Sequence, residues 1–145
     1  MRQLILLRHA HAESATSGQD DLERPLSETG RAEARAAGDW LREHGLQPDR
    51  VLSSSAARTR ETLAALGDIG GAEVHEDASI YEASPGTLVA LADANRDAER
   101  LLLVGHNPGL EQLAALMHSG MTGDYRGMPP GGIAVLELPV DVNIE

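Results

Sequence analysis

The sequence predicts an α/β fold: a three-layer α/β/α sandwich around a mainly parallel central sheet. Two short, continuous apolar runs, Leu4-Ile5-Leu6-Leu7 and Leu101-Leu102-Leu103-Val104, have the length and composition of strands buried on both faces. Segments with helical caps lie between the strands, so the two element types alternate. The connections are short, which suits one small core.

Each element has its own warrant. Gln3 to Leu7 is the first strand, and a polar loop runs from Arg8 to about Leu26. Ser27 stands where an N-cap belongs, and Glu28 to His44 reads as a helix with Ala32, Ala36, Ala37, Trp40 and Leu41 as its apolar face. Gly45 follows as a left-handed C-terminal cap. Arg50 to Ser53 is a brief second strand, and Ala56 to Leu66 a helix with Thr59, Leu63 and Leu66 on one side. Glu73-Val74-His75 is a weaker third strand. Ser84-Pro85 pairs a cap with a proline at the first helical position, opening a helix to about Ala94. Asn107-Pro108 repeats that signal after the Leu101–Val104 strand and opens a helix to about Ser119. A Gly/Pro loop from Gly127 to Gly132 leads to a last strand, Ile133 to Leu138.

Composition narrows the function classes. A chain of 145 residues suits one domain, 1–145, with one core. No apolar run approaches the ~18 residues of a membrane helix, and the early run is too short for a secretory leader. There are no cysteines, which excludes a disulfide scaffold, a thiolate metal site and a cysteine nucleophile. The expected address is the cytoplasm. The net charge of −11 argues against nucleic acid or an anionic membrane as partner. An aromatic content of 2% leaves no stacking platform for single strands. All 12 basic residues are arginine, the better bidentate ligand for phosphate.

Chemistry-bearing residues cluster at strand ends, where ligands bind in open parallel sheets. Arg8-His9 follows the first strand, Ser53-Ser54-Ser55 and Arg58 the second, and Gly105-His106-Asn107 the Leu101–Val104 strand. Two of these turns open helices, whose free N–H groups favour anions. Two histidines and two arginines thus converge on one crevice with the layout of a phosphate or sulfate pocket. Singly, each has a plainer use as a structural histidine or a surface ion pair. The rival use is a metal site from His9, His11, His106 and His118, although the adjacent arginines would repel a cation. His44 and His75 read as a helix end and a surface position.

These residues resemble a known family. Leu6-Leu7-Arg8-His9-Ala10 is similar to the R-H-G signature of the histidine phosphatase, or phosphoglycerate-mutase-like, superfamily. The likeness continues through Arg24-Pro25-Leu26-Ser27-x-x-Gly30, Ser53-Ser54 to Arg58 and Thr62, and Gly105-His106-Asn107-Pro108. Within the superfamily the chain looks most like the short SixA-type phosphohistidine phosphatases, whose R-H-A-x-A pattern and Asp21 with Arg24-Pro25-Leu26 it shares. It departs from the family at Ser55, where Pro is usual, and it stops soon after the last strand. Only a short segment separates His75 from Ser84-Pro85, so no cap insertion is expected.

The resemblance implies a metal-independent phosphatase with no cofactor. His9 would be the nucleophile, Arg8, Arg58 and His106 would hold the phosphoryl oxygens with Asn107 beside them, and Glu82 would be the positional candidate for general acid. Asp21 is a second acid candidate or an arginine's partner. The substrate implied is a phosphorylated protein, such as a histidine phosphotransfer domain, met by a monomer. The alternatives are a phosphomonoesterase for a small ester and a non-catalytic phosphoprotein-binding module.

Overall fold

Alternation along the strands decides which helices pack where. The computed structural model describes residues 3–119 and 128–137. On β1 (Gln3–Arg8), Leu4 and Leu6 face one side of the sheet, and Ile5 and Leu7 the other. The same split divides Leu101 and Leu103 from Leu102 and Val104 on β4 (Arg100–Gly105). Both strands are buried on both faces, as their unbroken apolar runs require. Each fully buried Leu or Ile contributes roughly 1.5–3 kcal/mol.

Two helices cover each face. Ile5, Leu7, Leu102 and Val104 pack on Ala37 and Leu41 of α1 (Glu28–Glu43) and on Leu66, which ends α2 (Ala57–Ala65). Leu4, Leu6, Leu101 and Leu103 pack on Leu88 and Ala92 of α3 (Pro85–Ala94) and on Leu110 and Leu113 of α4 (Gly109–Ser119). With β2 (Arg50–Ser53), β3 (Glu73–Glu76) and β5 (Ile133–Glu137), the sheet order is β3-β2-β4-β1-β5. The pairings β3-β2, β2-β4 and β4-β1 are parallel, and β5 joins β1 antiparallel. The expected three-layer sandwich with a mainly parallel sheet is therefore the observed fold. After β1 the chain turns to α1 on one face, and after β4 to α4 on the other. The connections diverge between β1 and β4, and a crevice opens there.

Three expectations need correction. The buried side of α1 is Gly30, Ala34, Ala37, Gly38 and Leu41, while Ala32, Ala36 and Trp40 are exposed. The glycines explain the rotation: a Cβ on Gly38 would lie 1.9 Å from the Leu66 carbonyl oxygen, and one on Gly30 2.0 Å from that of His11. Backbone approaches this close draw the small-residue side inward and leave Trp40 stacked on His44 outside. Secondly, α4 begins at Gly109, one residue later than a start at Pro108. Asn107 still accepts the Glu111 N–H with its side chain. Thirdly, Leu63 is only partly buried on α2, and Thr62 takes the inward position beside Thr59. Residues 120–127, Leu138 and the segment after it lie outside the described residues. Among the described residues, no helix is long and apolar enough to cross a membrane.

Candidate active site

Register brings the two histidines together. In the β1–β4 pair, Arg8 stands opposite Gly105, so the next residues, His9 and His106, leave adjacent parallel strands side by side. The His9 N–H donates to the Gly105 carbonyl at 3.0 Å, and the two ring centroids are 5.2 Å apart. The Ala10 N–H donates to Thr62 Oγ1 at 3.0 Å, which ties the turn after β1 to α2. Ser54, just past β2, places Oγ 2.8 Å from His106 Nε2. Arg58 projects from the start of α2 and is 5% exposed. Arg8 is anchored from the loop before β5, its Nη1 donating to the Met128 carbonyl at 2.9 Å. Arg8, His9, Arg58 and His106 thus line one cleft of about 670 Å³ at the carboxyl ends of the strands.

The cleft keeps its imidazoles neutral. His9 Nδ1 lies 2.8 Å from the Ala10 carbonyl, an acceptor only, so Nδ1 carries the proton and Nε2 keeps its lone pair. Burial lowers the His9 pKa to about 4; the Ala10 bond opposes the shift, and Arg58, Arg8 and Arg24 reinforce it. His106 is lowered to about 3, first by burial, then by His9 and Arg58. Among the described residues, three buried side-chain nitrogens lack a hydrogen-bond partner: Arg8 Nε, Arg58 Nε and His106 Nδ1. Arg8, Arg58 and His106 all line this cleft, and buried polar nitrogens call for partners.

Asp21 is tied down on both carboxylate oxygens. Arg58 donates Nη1 to the Asp21 carbonyl at 2.7 Å and Nη2 to Oδ2 at 3.0 Å. Arg24 Nε donates to Oδ1 at 2.8 Å, and the Tyr81 hydroxyl donates to Oδ2. The Tyr81 bond, with those of Arg24 and Arg58, lowers the Asp21 pKa to about 2. Glu82 lies exposed at the rim of the cleft with a φ of 63°, the left-handed region. Asn107 also lines the cleft, but its amide donates to Glu111 Oε2 and the Met128 carbonyl. His11 stands at the wall with Nδ1 2.7 Å from Ser27 Oγ. No group of three or more His, Asp or Glu side chains suits a metal among the described residues, and the His118 side chain lies outside them.

Sequence reasoning passed over Tyr81. Its only signal was rarity, since the chain has two tyrosines and one tryptophan. In the fold its ring meets His106 edge-on at 5.4 Å, and Arg58 Cζ lies 5.7 Å from its centroid.

The comparisons agree with this geometry. The family described as "Histidine phosphatase superfamily (branch 1)" matches residues 4–109. A chloroplastic protein of Arabidopsis thaliana is 36% identical over 128 residues, 80% of this chain and 59% of its own length. The chain therefore spans less than two thirds of that relative. The phosphohistidine phosphatase SixA of Escherichia coli is 30% identical over 130 residues, 83% of this chain and 76% of its own. A solved structure named for SixA of Agrobacterium tumefaciens superposes with a TM-score of 0.87 at 34% identity, covering 94% of this chain and 90% of that one. Family, fold and likeness to SixA support a phosphatase. This chain belongs to the histidine phosphatase superfamily, branch 1.

Proposed function

We propose that this protein removes the phosphoryl group from phosphohistidine on another protein through a phosphohistidine intermediate on His9. One observation carries the reading: Arg8, Arg58 and His106 each leave a buried nitrogen unpartnered, all around a histidine whose Nε2 lone pair is free. His9 Nε2 attacks phosphorus, and the bond to the leaving imidazole nitrogen breaks with its electron pair. Arg8, Arg58 and His106 hold the non-bridging oxygens as charge spreads over them. Water then attacks the phosphorus on His9, the new N–P bond breaks, and inorganic phosphate departs. The guanidinium groups supply the charge that a metal supplies elsewhere, so the reaction needs no cofactor. Asn107 serves the phosphate site by holding the turn that carries His106. Glu82 is assigned to protonating the leaving group, a task that matters more for an alkoxide than for an imidazole.

The substrate class follows from access. Only residues 77–84 join β3 to α3, a connection too short to hold a cap at that place. The reading is one domain acting as a cytoplasmic monomer on a displayed phosphohistidine, such as that of a phosphotransfer domain. The name of the Escherichia coli relative supports it. The test is phosphate release, with chelator present, from a phosphohistidine protein and from a panel of small phosphate esters. The phosphoprotein is expected to turn over preferentially, and His9→Ala to lose ~10³-fold or more. Faster turnover of a small ester moves the function to a phosphomonoesterase. Phosphoprotein binding without turnover leaves a binding module.

A further inference from the structure

Arg58 is the most enclosed cation of the cleft, yet no residue of its own helix sets its direction. Its side chain is 6% exposed, and two of its terminal nitrogens are spent on Asp21, 37 positions earlier in the chain. Asp21 lies further out, its side chain 48% exposed, on the loop after β1. A carboxylate there would turn freely unless fixed from its far side. Two groups fix it: Arg24 on Oδ1 and the Tyr81 hydroxyl on Oδ2. Asp21 is ionised and accepts only, so the tyrosine must be the donor. That bond and burial raise the Tyr81 pKa, which keeps the donor proton in place.

Tyr81 also touches the site with its ring. The Arg58 guanidinium carbon lies over its face, and its plane stands at 89° to that of the His106 ring. The residue follows the Ala78–Ile80 turn, so it joins the wall between β3 and α3 to the loop that carries Asp21. One side chain therefore constrains two of the groups assigned to the phosphoryl oxygens.

We propose that Tyr81 is a positioning residue: its hydroxyl fixes Asp21, and through Asp21 it sets the plane in which Arg58 meets the phosphoryl group. This rests on the phosphatase reading above. The demand is greatest at a trigonal bipyramid, whose equatorial oxygens lie in one plane. The probes are orthovanadate, which adopts that geometry, and inorganic phosphate, which remains tetrahedral.

The test measures inhibition of phosphatase activity by both anions in the wild type, Tyr81→Phe, Asp21→Asn and the double variant, with thermal midpoints alongside. Tyr81→Phe keeps the ring and is expected to weaken orthovanadate about tenfold while phosphate changes less than about threefold, with kcat falling more than KM rises. Its thermal midpoint should hold. The double variant should lose no more than the worse single one, because both changes break one chain of contacts. Orthovanadate affinity within about twofold of wild type, equal losses for both anions, or additive losses would each overturn the proposal. Should Asp21→Asn fail to fold, Tyr81→Phe decides alone by its orthovanadate-to-phosphate ratio. A wild-type protein that binds neither anion overturns the phosphatase reading and this one together, whereas binding that Tyr81→Phe leaves untouched overturns only this one.

Discussion

At the scale of single residues, the cleft inverts the usual behaviour of a histidine. An exposed imidazole is half protonated near pH 6.5, but His9 is held at about 4 by burial and neighbouring guanidinium groups. Its Nε2 therefore stays nucleophilic well into acid. The expected consequence is a kcat/KM that, after correction for the substrate's own ionisation, stays flat from neutrality to about pH 5 before falling. An acid limb centred near 6.5 would show that the free enzyme does not shield His9. His106 behaves alike, and a bound phosphate dianion should raise both pKa values by adding negative charge beside them. His9 and His106 were legible because each directly follows an apolar strand, Arg8 because it closes one, and Arg58 because it stands in the first turn of the helix after β2. Tyr81 and the Asp21 contacts were not legible, because their partners come from loops whose paths no periodicity records.

At the scale of elements, glycines decide how closely α1 approaches the rest of the molecule. Gly30 brings the helix start against the His11 carbonyl, which also accepts the Ser27 N–H at 3.0 Å. Ser27 Oγ accepts the Gly30 N–H and meets the His11 ring, so helix cap and cleft wall share one hydroxyl. Gly30→Ala gains ~1 kcal/mol of helix propensity but places a methyl 2.0 Å from a backbone oxygen. The net effect expected from urea denaturation is a loss of about 1–3 kcal/mol. A neutral or stabilising result would mean that the helix start shifts without cost. Apolar spacing on α1 pointed to Ala32, Ala36 and Trp40, since it reads hydrophobicity and is blind to a face chosen for small size. Cap signals did better: Ser27 and Ser84 cap the helices expected of them, because a side chain bonding its own helix is a local event.

For the whole molecule, the buried groups of the cleft predict an acid-sensitive fold. Unfolded histidines take up protons as pH drops below 6.5, while His9 and His106 resist until about 4 and about 3. The unfolded state binds more protons in that window, so stability is full above pH 6.5 and falls as pH decreases towards 3–4. Asp21 adds a further loss between 3.8 and about 2, where its carboxylate protonates. Urea midpoints between pH 7.5 and pH 4.5 should decline in the wild type and decline less in His106→Asn, by about half the slope if the two histidines share it. Equal slopes would remove His106 from the account.

The α/β class, the strand order of chemistry along the chain and the family signature rest on local information: unbroken apolar runs, caps, and residues adjacent to strand ends. Such features survive reading in one dimension because each is settled by neighbours a few positions away. The facing side of α1, the commitment of the Asn107 amide and the bonding of Asp21 to Arg58 and Tyr81 were decided only by the tertiary structure. Each depends on groups far apart in sequence competing for one donor, one acceptor or a few ångströms of space, and that competition has no outcome until the chain is packed.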